Sequence, residues 1–239
     1  MFSTEAMETN PYVQISKDFL TTLQEGGNTD EYAEKYANFT IEELTTGLQT
    51  NDARLAFWIN TYNAFIQRKL QANPELYDNR GSFFKNDFIN IGGNMVAFAD
   101  IEHGIIRRSQ FEYFLGYVTN PFAGTWERKL RVKDRDFRVH FALNCGAKSC
   151  PPVGIYDDLK LDEQLNISTK KFLNKFTEVK DNKIHTTSLF SWFRGDFGGI
   201  KGAKDILEQY EIITESDKSK SFDLSYDWTL YLDKYVDFE

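Results

Sequence analysis

One long apolar segment constrains the fold of this chain more than any other feature. Residues 52–70 read DARLAFWINTYNAFIQRKL, with no glycine or proline until the Asn73-Pro74 pair ends the pattern. At about 100° per residue, the large apolar side chains fall within an arc of about 120°. The arc consists of Leu55, Trp58, Ile59, Tyr62, Phe65 and Ile66. A stripe of this width buries one face of a helix, so we predict that residues 52–70 form the central core helix.

The composition provides the core that such a helix needs. Of the 239 residues, 41% are hydrophobic and 15% are aromatic, which excludes an intrinsically disordered chain. The formal net charge at pH 7 is −8, and the sequence shows no basic cluster that compensates for it. Because an acidic surface is repelled by phosphate backbones and anionic lipids, we expect no nucleic-acid partner.

The sequence shows neither a secretory signal nor a membrane-spanning segment. The first residues, MFSTEAMETNPYVQ, lack the charged start and the apolar run of a secretory signal. No stretch approaches the roughly 20 apolar residues that a membrane span requires. We therefore expect no membrane span and, by default, a cytoplasmic protein, although a mature exported chain would look the same.

Helical and strand patterns alternate irregularly along the chain, and no segment repeats. Helices are predicted at residues 11–25, 40–47, 100–108, 125–130, 162–176 and 203–210, and strands at residues 136–145, 183–187 and 226–232 and in a hairpin over 87–98. This order predicts a single α+β domain with a mixed or antiparallel sheet and packed helices. We expect residues 1–50 to form an N-terminal helical segment that packs on a domain spanning residues 51–239.

Three segments carry the polar residues that chemistry needs, and the first is the central helix. Asn60 and Asn63 follow directly on the apolar stripe, at its border. A buried amide must find hydrogen-bond partners, so these residues are candidates for bracing a loop or orienting a bound group. The alternative is that both are ordinary amides on the flank of a core helix.

The second segment, residues 101–108, reads IEHGIIRR. On an α-helix, His103 and Arg107 lie four residues apart on one face, whereas Glu102 points about 100° away from His103. Gly104 costs a short helix about 1 kcal/mol relative to alanine, which indicates a close approach to the backbone there. The functional interpretation is a polar site that includes Glu102, His103 and Arg107. The alternative is a surface arginine paired with carboxylates and an exposed histidine.

The third segment is the strand predicted at residues 136–145. Strand alternation places His140 and Asn144 on one face and Cys145 on the other. A histidine within an apolar strand is usually a core residue, but Asn144 shares its face close to the end of the strand. We therefore treat His140 as a candidate catalytic residue and Asn144 as a candidate binding residue.

The loop after this strand, residues 146–152, adds Ser149 and the second cysteine, Cys150. Its glycine start offers backbone N–H groups for a ligand or an oxyanion, or simply makes a tight turn. Two cysteines are too few for a disulfide scaffold and, with three scattered histidines, for a zinc site, so we expect no metal and no cofactor.

A reactive thiol in this segment would need a base, which His140 or His103 would supply. Cys150 lies in an irregular loop, where functional side chains concentrate, but two prolines follow it. Cys145 enters a glycine turn that offers backbone donors, but strand alternation separates it from His140. A structural thiol is the alternative for both cysteines.

Four blocks of the sequence together resemble the domain-of-unknown-function family 547. They are FWINTYN at residues 57–63, IEHGIIR at 101–107, HFALNCGAKSCPP at 140–152 and YDW at 226–228. The blocks occur in the family's order, and the one around the cysteines is the most specific. The resemblance implies a family without an established activity, widespread in bacteria and present at the C-terminal end of plant proteins with a leucine-zipper region.

Residue by residue, the resemblance singles out Asn60, Asn63, Glu102, His103, Arg107, His140, Ser149, Cys145 and Cys150. Two functions from different classes are consistent with these residues. One is a hydrolase or acyl-transfer enzyme with a Cys–His centre, of papain-like or transglutaminase-like architecture. The other is a non-catalytic binding module whose polar pocket uses the same side chains. In either case the expected ligand is a small molecule or a peptide.

Overall fold

A computed structural model describes residues 8–232 and 234–238. The expectation that the chain lacks a secretory signal rests partly on residues 1–7, which lie outside the described residues. In chain order the α-helices and strands are α1 Pro11–Gln24, α2 Asp30–Asn38, α3 Ile41–Gly47, α4 Asn51–Ala72, α5 Arg80–Lys85, β1 Ile89–Ile91, β2 Asn94–Val96, α6 Thr125–Leu130, α7 Leu161–Phe176, β3 Glu178–Lys180, β4 Lys183–Thr187, α8 Leu189–Trp192, α9 Gly199–Gln209 and β5 Ser221–Ser225. Short 3-10 helices lie at Pro74–Asn79, Phe137–Phe141 and Glu215–Ser219, and Asp100–Ile106 forms a π-helix.

Helix α4 lies at the centre of the core. It begins at a cap in which the Thr50 side chain accepts from the backbone N–H of Ala53 at 3.0 Å, and it ends just before Pro74. Every residue from 53 to 67 is buried, so the helix is covered on all faces and not only along the predicted stripe. The predicted core helix is therefore confirmed, and its amide-bearing faces are buried as well.

The N-terminal helices share the core of α4. Helix α1 packs along α4, and the ring of Phe19 lies 5.1 Å from the ring of Phe65. In α2, the ring of Tyr36 lies 5.3 Å from Phe65 and its hydroxyl is 2.7 Å from the Thr61 hydroxyl. The division of the chain at residue 50 remains a prediction. No helix among the described residues is long and apolar enough to cross a bilayer.

The strands form two small sheets. Strands β1 and β2 pair antiparallel around Gly92-Gly93, which confirms the predicted hairpin. In the second sheet, β4 pairs antiparallel with β3 and parallel with β5. The chain is thus a single-domain α+β fold with a mixed sheet, as predicted. A papain-like or transglutaminase-like architecture stays a prediction.

Two predicted strands are wrong. Residues 137–141 form a 3-10 helix that begins where the Asp136 side chain accepts from the backbone N–H of Arg138 at 2.9 Å. The alternating pattern misleads because the segment packs against α7, where the ring of Phe141 lies 5.2 Å from that of Phe172, and has no strand beside it among the described residues. The predicted strand at 226–232 is not formed, because β5, which pairs with β4, ends at Ser225. Within 226–232 only Leu230 forms an isolated bridge, with Ala147.

Candidate functional site

An open cavity of about 450 Å³ lies beside α4, where the segments that resemble the family meet. The π-helix, the 3-10 helix at 137–141, α8 and residues 226–228 all contribute side chains to its wall. Its polar lining includes Glu102, His103 and His140, and its aromatic lining consists of Tyr62, Phe84, Tyr113, Trp192, Phe193, Tyr226 and Trp228. An apolar cavity with a few polar groups is the usual form of a small-molecule site.

The π-helix brings two neighbouring polar residues to the cavity. Its wider turn shows in the backbone hydrogen bonds, because the N–H of Arg107 donates to Glu102 at 2.8 Å and that of Ser109 to Gly104 at 2.7 Å. Glu102 and His103 both line the cavity, and a Glu102 carboxylate oxygen lies 3.8 Å from His103 Nδ1. Glu102 and His103 therefore reach the same cavity although they are neighbours in the chain.

Arg107 fixes the protonation of His103. Its side chain is almost fully buried, and its guanidinium lies 2.7 Å from His103 Nδ1 and 2.7 Å from an Asp196 carboxylate oxygen. Because arginine only donates hydrogen bonds, His103 Nδ1 must accept, and the proton of the neutral ring is on Nε2. Burial lowers the pKa of His103 below its ordinary value, which keeps the ring neutral at pH 7.

Asp196 fixes the protonation of the second imidazole. His140 Nε2 lies 2.9 Å from the same Asp196 oxygen, and the imidazole stacks on Phe193 with ring centroids 4.1 Å apart. Burial lowers the pKa of His140, so the neutral ring holds its proton on Nε2, towards the carboxylate, and Nδ1 is unprotonated. Burial alone would raise the pKa of Asp196, but its partners His140 and Arg107 hold it below the ordinary value.

Asp196, which joins Arg107 and His140, was not among the site residues predicted from the sequence. Its backbone lies in a tight contact between two loops. A Cβ atom on Gly195 would stand 2.6 Å from the Gly116 backbone, and one on Gly116 would stand 2.5 Å from an Asp196 carboxylate oxygen. An aspartate among closely spaced glycines, in GDFGG at residues 195–199, is the signal that would have found it. We call Glu102, His103, Arg107, His140 and Asp196 the ionisable cluster.

The candidate amides lie elsewhere and bind the backbone. Asn63 donates to the Ala142 carbonyl at 3.0 Å and accepts from the Asn144 N–H at 2.8 Å. Asn144 in turn donates to the Pro151 carbonyl at 2.6 Å. These contacts hold the chain where a sheet ladder was expected. The Gln67 amide donates to the Asn144 side-chain oxygen at 3.1 Å. We call Asn60, Asn63, Gln67 and Asn144 the amide cluster.

Asn60, also of the amide cluster, and the candidate residue Ser149 hold the backbone of other segments. Asn60 binds both backbone polar groups of Tyr156, at 2.8 and 2.9 Å. Ser149 binds Asp227, since its hydroxyl accepts from the Asp227 N–H at 2.8 Å and its own N–H donates to the Asp227 carbonyl at 3.1 Å. Neither Asn60 nor Ser149 lines the cavity.

The two cysteines form a disulfide bond. Cys145 lines the cavity, whereas Cys150 is buried. Among the described residues no hydrogen bond joins either sulfur to the imidazole of His103 or His140. The predicted cradle of free N–H groups is also absent from this part of the described chain, since the Gly146 N–H donates to the Asn144 side chain at 2.9 Å. The loop is therefore a braced tight turn.

No three histidine, cysteine or carboxylate side chains in residues 8–232 and 234–238 are grouped closely enough to hold a metal ion.

The family comparison agrees with the motifs. The family model described as "Protein of unknown function, DUF547" matches residues 46–173. The match covers more than half of the 239 residues, so the chain belongs to the DUF547 family. Comparison with curated proteins finds no match, and comparison with solved structures finds none either. Asp196 and Tyr226 lie outside the matched range.

Proposed function

We propose that the cavity is the active site of an enzyme that uses two neutral imidazoles as an acid–base pair on a small organic substrate. The observation that carries this proposal is the hydrogen bonding of the two rings within the ionisable cluster. His103 carries its proton on Nε2 because Arg107 occupies Nδ1. His140 keeps an unprotonated Nδ1 because Asp196 occupies Nε2. One cavity wall therefore offers both a proton donor and a proton acceptor.

These roles suit a hydrolase or an acyl-transfer reaction. His140 Nδ1 takes the proton of the attacking nucleophile, and Asp196 stabilises the imidazolium that forms. His103 Nε2–H donates a hydrogen bond to the oxygen that becomes negative, as a neutral imidazole can. The aromatic walls bind the body of the substrate. The nucleophile is a water molecule while the disulfide is closed, and Cys145 is available only after reduction.

A non-catalytic binding module is the second candidate. It is favoured by the absence, among the described residues, of a side-chain nucleophile bonded to either imidazole. The aromatic lining suffices to bind a small molecule, and the ionisable cluster would then serve only to build the wall.

A panel of chromogenic esters and amides with small acyl groups distinguishes the two candidates. We expect turnover that falls by about 10²-fold or more in His140→Gln and in His103→Gln. His185→Gln is the matched control, because His185 lies on β4 and does not line the cavity. Turnover at the wild-type rate in His140→Gln would contradict the proposal that the protein is an enzyme that uses His140. Ligands that raise the melting temperature of the wild type and of His140→Gln alike, without turnover, would establish the binding module.

A further inference from the structure

The disulfide presents its two sulfurs to different surroundings. Cys145 is partly exposed and forms part of the cavity wall. Cys150 has 1% of its surface exposed and is not part of the lining. A molecule in the cavity therefore meets Cys145 first.

Two hydrogen-bond donors converge on the buried sulfur. The backbone N–H of Cys145 donates to Cys150 Sγ at 3.0 Å. The Tyr226 hydroxyl lies 3.1 Å from Cys150 Sγ and 3.4 Å from Cys145 Sγ. Since a disulfide sulfur has no hydrogen to donate, the hydroxyl is the donor. Burial raises the pKa of Tyr226 far above its ordinary value, so the hydroxyl keeps its proton. Donors that point at a sulfur stabilise its thiolate.

A lysine holds the turn between the cysteines. Lys234 Nζ donates to the carbonyl oxygens of Ala147, Lys148 and Cys150 at 3.2, 3.0 and 2.9 Å. Burial lowers the pKa of Lys234 to about 8, which leaves the amine mostly charged at pH 7. The turn is thus held by contacts that do not depend on the disulfide, and a positive charge lies beside Cys150.

We propose that Cys145 and Cys150 exchange with low-molecular-weight thiols that enter the cavity. The thiolate of the small molecule attacks Cys145 Sγ and forms a mixed disulfide. The bond between Cys145 and Cys150 breaks, and its electron pair leaves on Cys150, where the two donors stabilise the thiolate. A second small thiol attacks the sulfur of the first, so that Cys145 leaves as a thiolate and both cysteines take up protons. Two small thiols are oxidised to their disulfide, and the protein disulfide is reduced.

This exchange requires neither His140 nor His103, so it is tested separately from the acid–base function. The reduced variants Cys150→Ser and Cys145→Ser are each mixed with oxidised glutathione and analysed by intact mass. We expect one glutathionyl group on Cys150→Ser, because Cys145 is reachable and has lost its resolving partner. Cys145→Ser is the matched control. It should gain a glutathionyl group at least about tenfold more slowly, since its remaining thiol, Cys150, is buried. Equal rates, or faster reaction of Cys145→Ser, would overturn the assignment of the attacked sulfur.

A second measurement uses the intact disulfide and does not depend on the folding of the serine variants. Native protein is reduced with glutathione, and free thiols are counted by alkylation at successive times. Tyr226→Phe should slow reduction about tenfold, the effect of removing one hydrogen bond to the leaving thiolate. Tyr231→Phe is the control, because Tyr231 is exposed and contacts neither sulfur. A disulfide that glutathione does not reduce in the folded protein, or an unchanged rate in Tyr226→Phe, would overturn the proposal.

Discussion

The amide cluster and the ionisable cluster differ in what their side chains bind. Asn63 and Asn144 bind mainly backbone groups and hold residues 142–151 against α4. The side chains of Arg107, Asp196 and His140 bind one another beside the cavity. Neutral amides therefore replace a sheet ladder, whereas buried charges, which are costly to desolvate, are concentrated at the cavity, where chemistry can use them.

Removal of the shared carboxylate has the largest expected effect. Asp196→Ala leaves the buried guanidinium of Arg107 without its counter-ion, and we expect a loss of about 3–5 kcal/mol in the free energy of unfolding, measured by urea titration. Arg135→Ala is the control, because Arg135 pairs with the same aspartate but its side chain is 43% exposed, and it should cost less than about 1 kcal/mol. Equal losses of unfolding free energy in Asp196→Ala and Arg135→Ala would show that burial does not determine how much an ion pair with Asp196 contributes to stability.

Removal of an amide should have a smaller and purely structural effect. Asn63→Ala breaks two buried hydrogen bonds to the backbone, which predicts a loss of about 3 kcal/mol by the same titration. The pKa values of His103 and His140 should not change, because Asn63 contacts neither ring. A loss under about 1 kcal/mol, or a changed histidine pKa, would contradict the separation of the two clusters.

The sequence predicted elements with strong local signals and missed arrangements that depend on packing. Helix α4 and the hairpin at Gly92-Gly93 follow from periodicity and turn residues. The 3-10 helix at 137–141 does not follow from periodicity, because an alternating apolar pattern also fits a segment that is buried on both sides. His103 and Arg107 were paired correctly by spacing, but Asp196 lies 89 residues beyond Arg107 and no local pattern connects them.

Acid should weaken the fold through the ionisable cluster. The pKa values of His103 and His140 are lowered in the folded protein, so below about pH 6.5 the unfolded chain binds more protons. Stability is therefore complete above that pH and falls as the pH drops towards the folded pKa values. In His140→Phe the urea midpoint should depend less steeply on pH between about 5 and 6.5. An equally steep dependence would show that His140 is not a source of the acid sensitivity.

The smallest effect is expected where the central helix meets the ionisable cluster. The Tyr62 hydroxyl donates to a Glu102 carboxylate oxygen at 3.1 Å, and Tyr62→Phe removes only this bond. We expect a loss of about 1 kcal/mol by urea titration and no change in which nitrogen of His103 is protonated. A loss above about 3 kcal/mol would show that α4 and the ionisable cluster form one cooperative unit.

The hydrogen bonds from Arg107 and to Asp196 assign a fixed proton position to each of the two imidazoles in the cavity wall. Nitrogen NMR of the histidine rings across a pH titration tests these positions most directly, with signals assigned through His103→Gln and His140→Gln. We predict that both rings carry their proton on Nε2 at pH 7 and that both pKa values lie below the ordinary histidine value of about 6.5. A proton on Nδ1 of His103, or a pKa at or above that value in either ring, would contradict these proton positions.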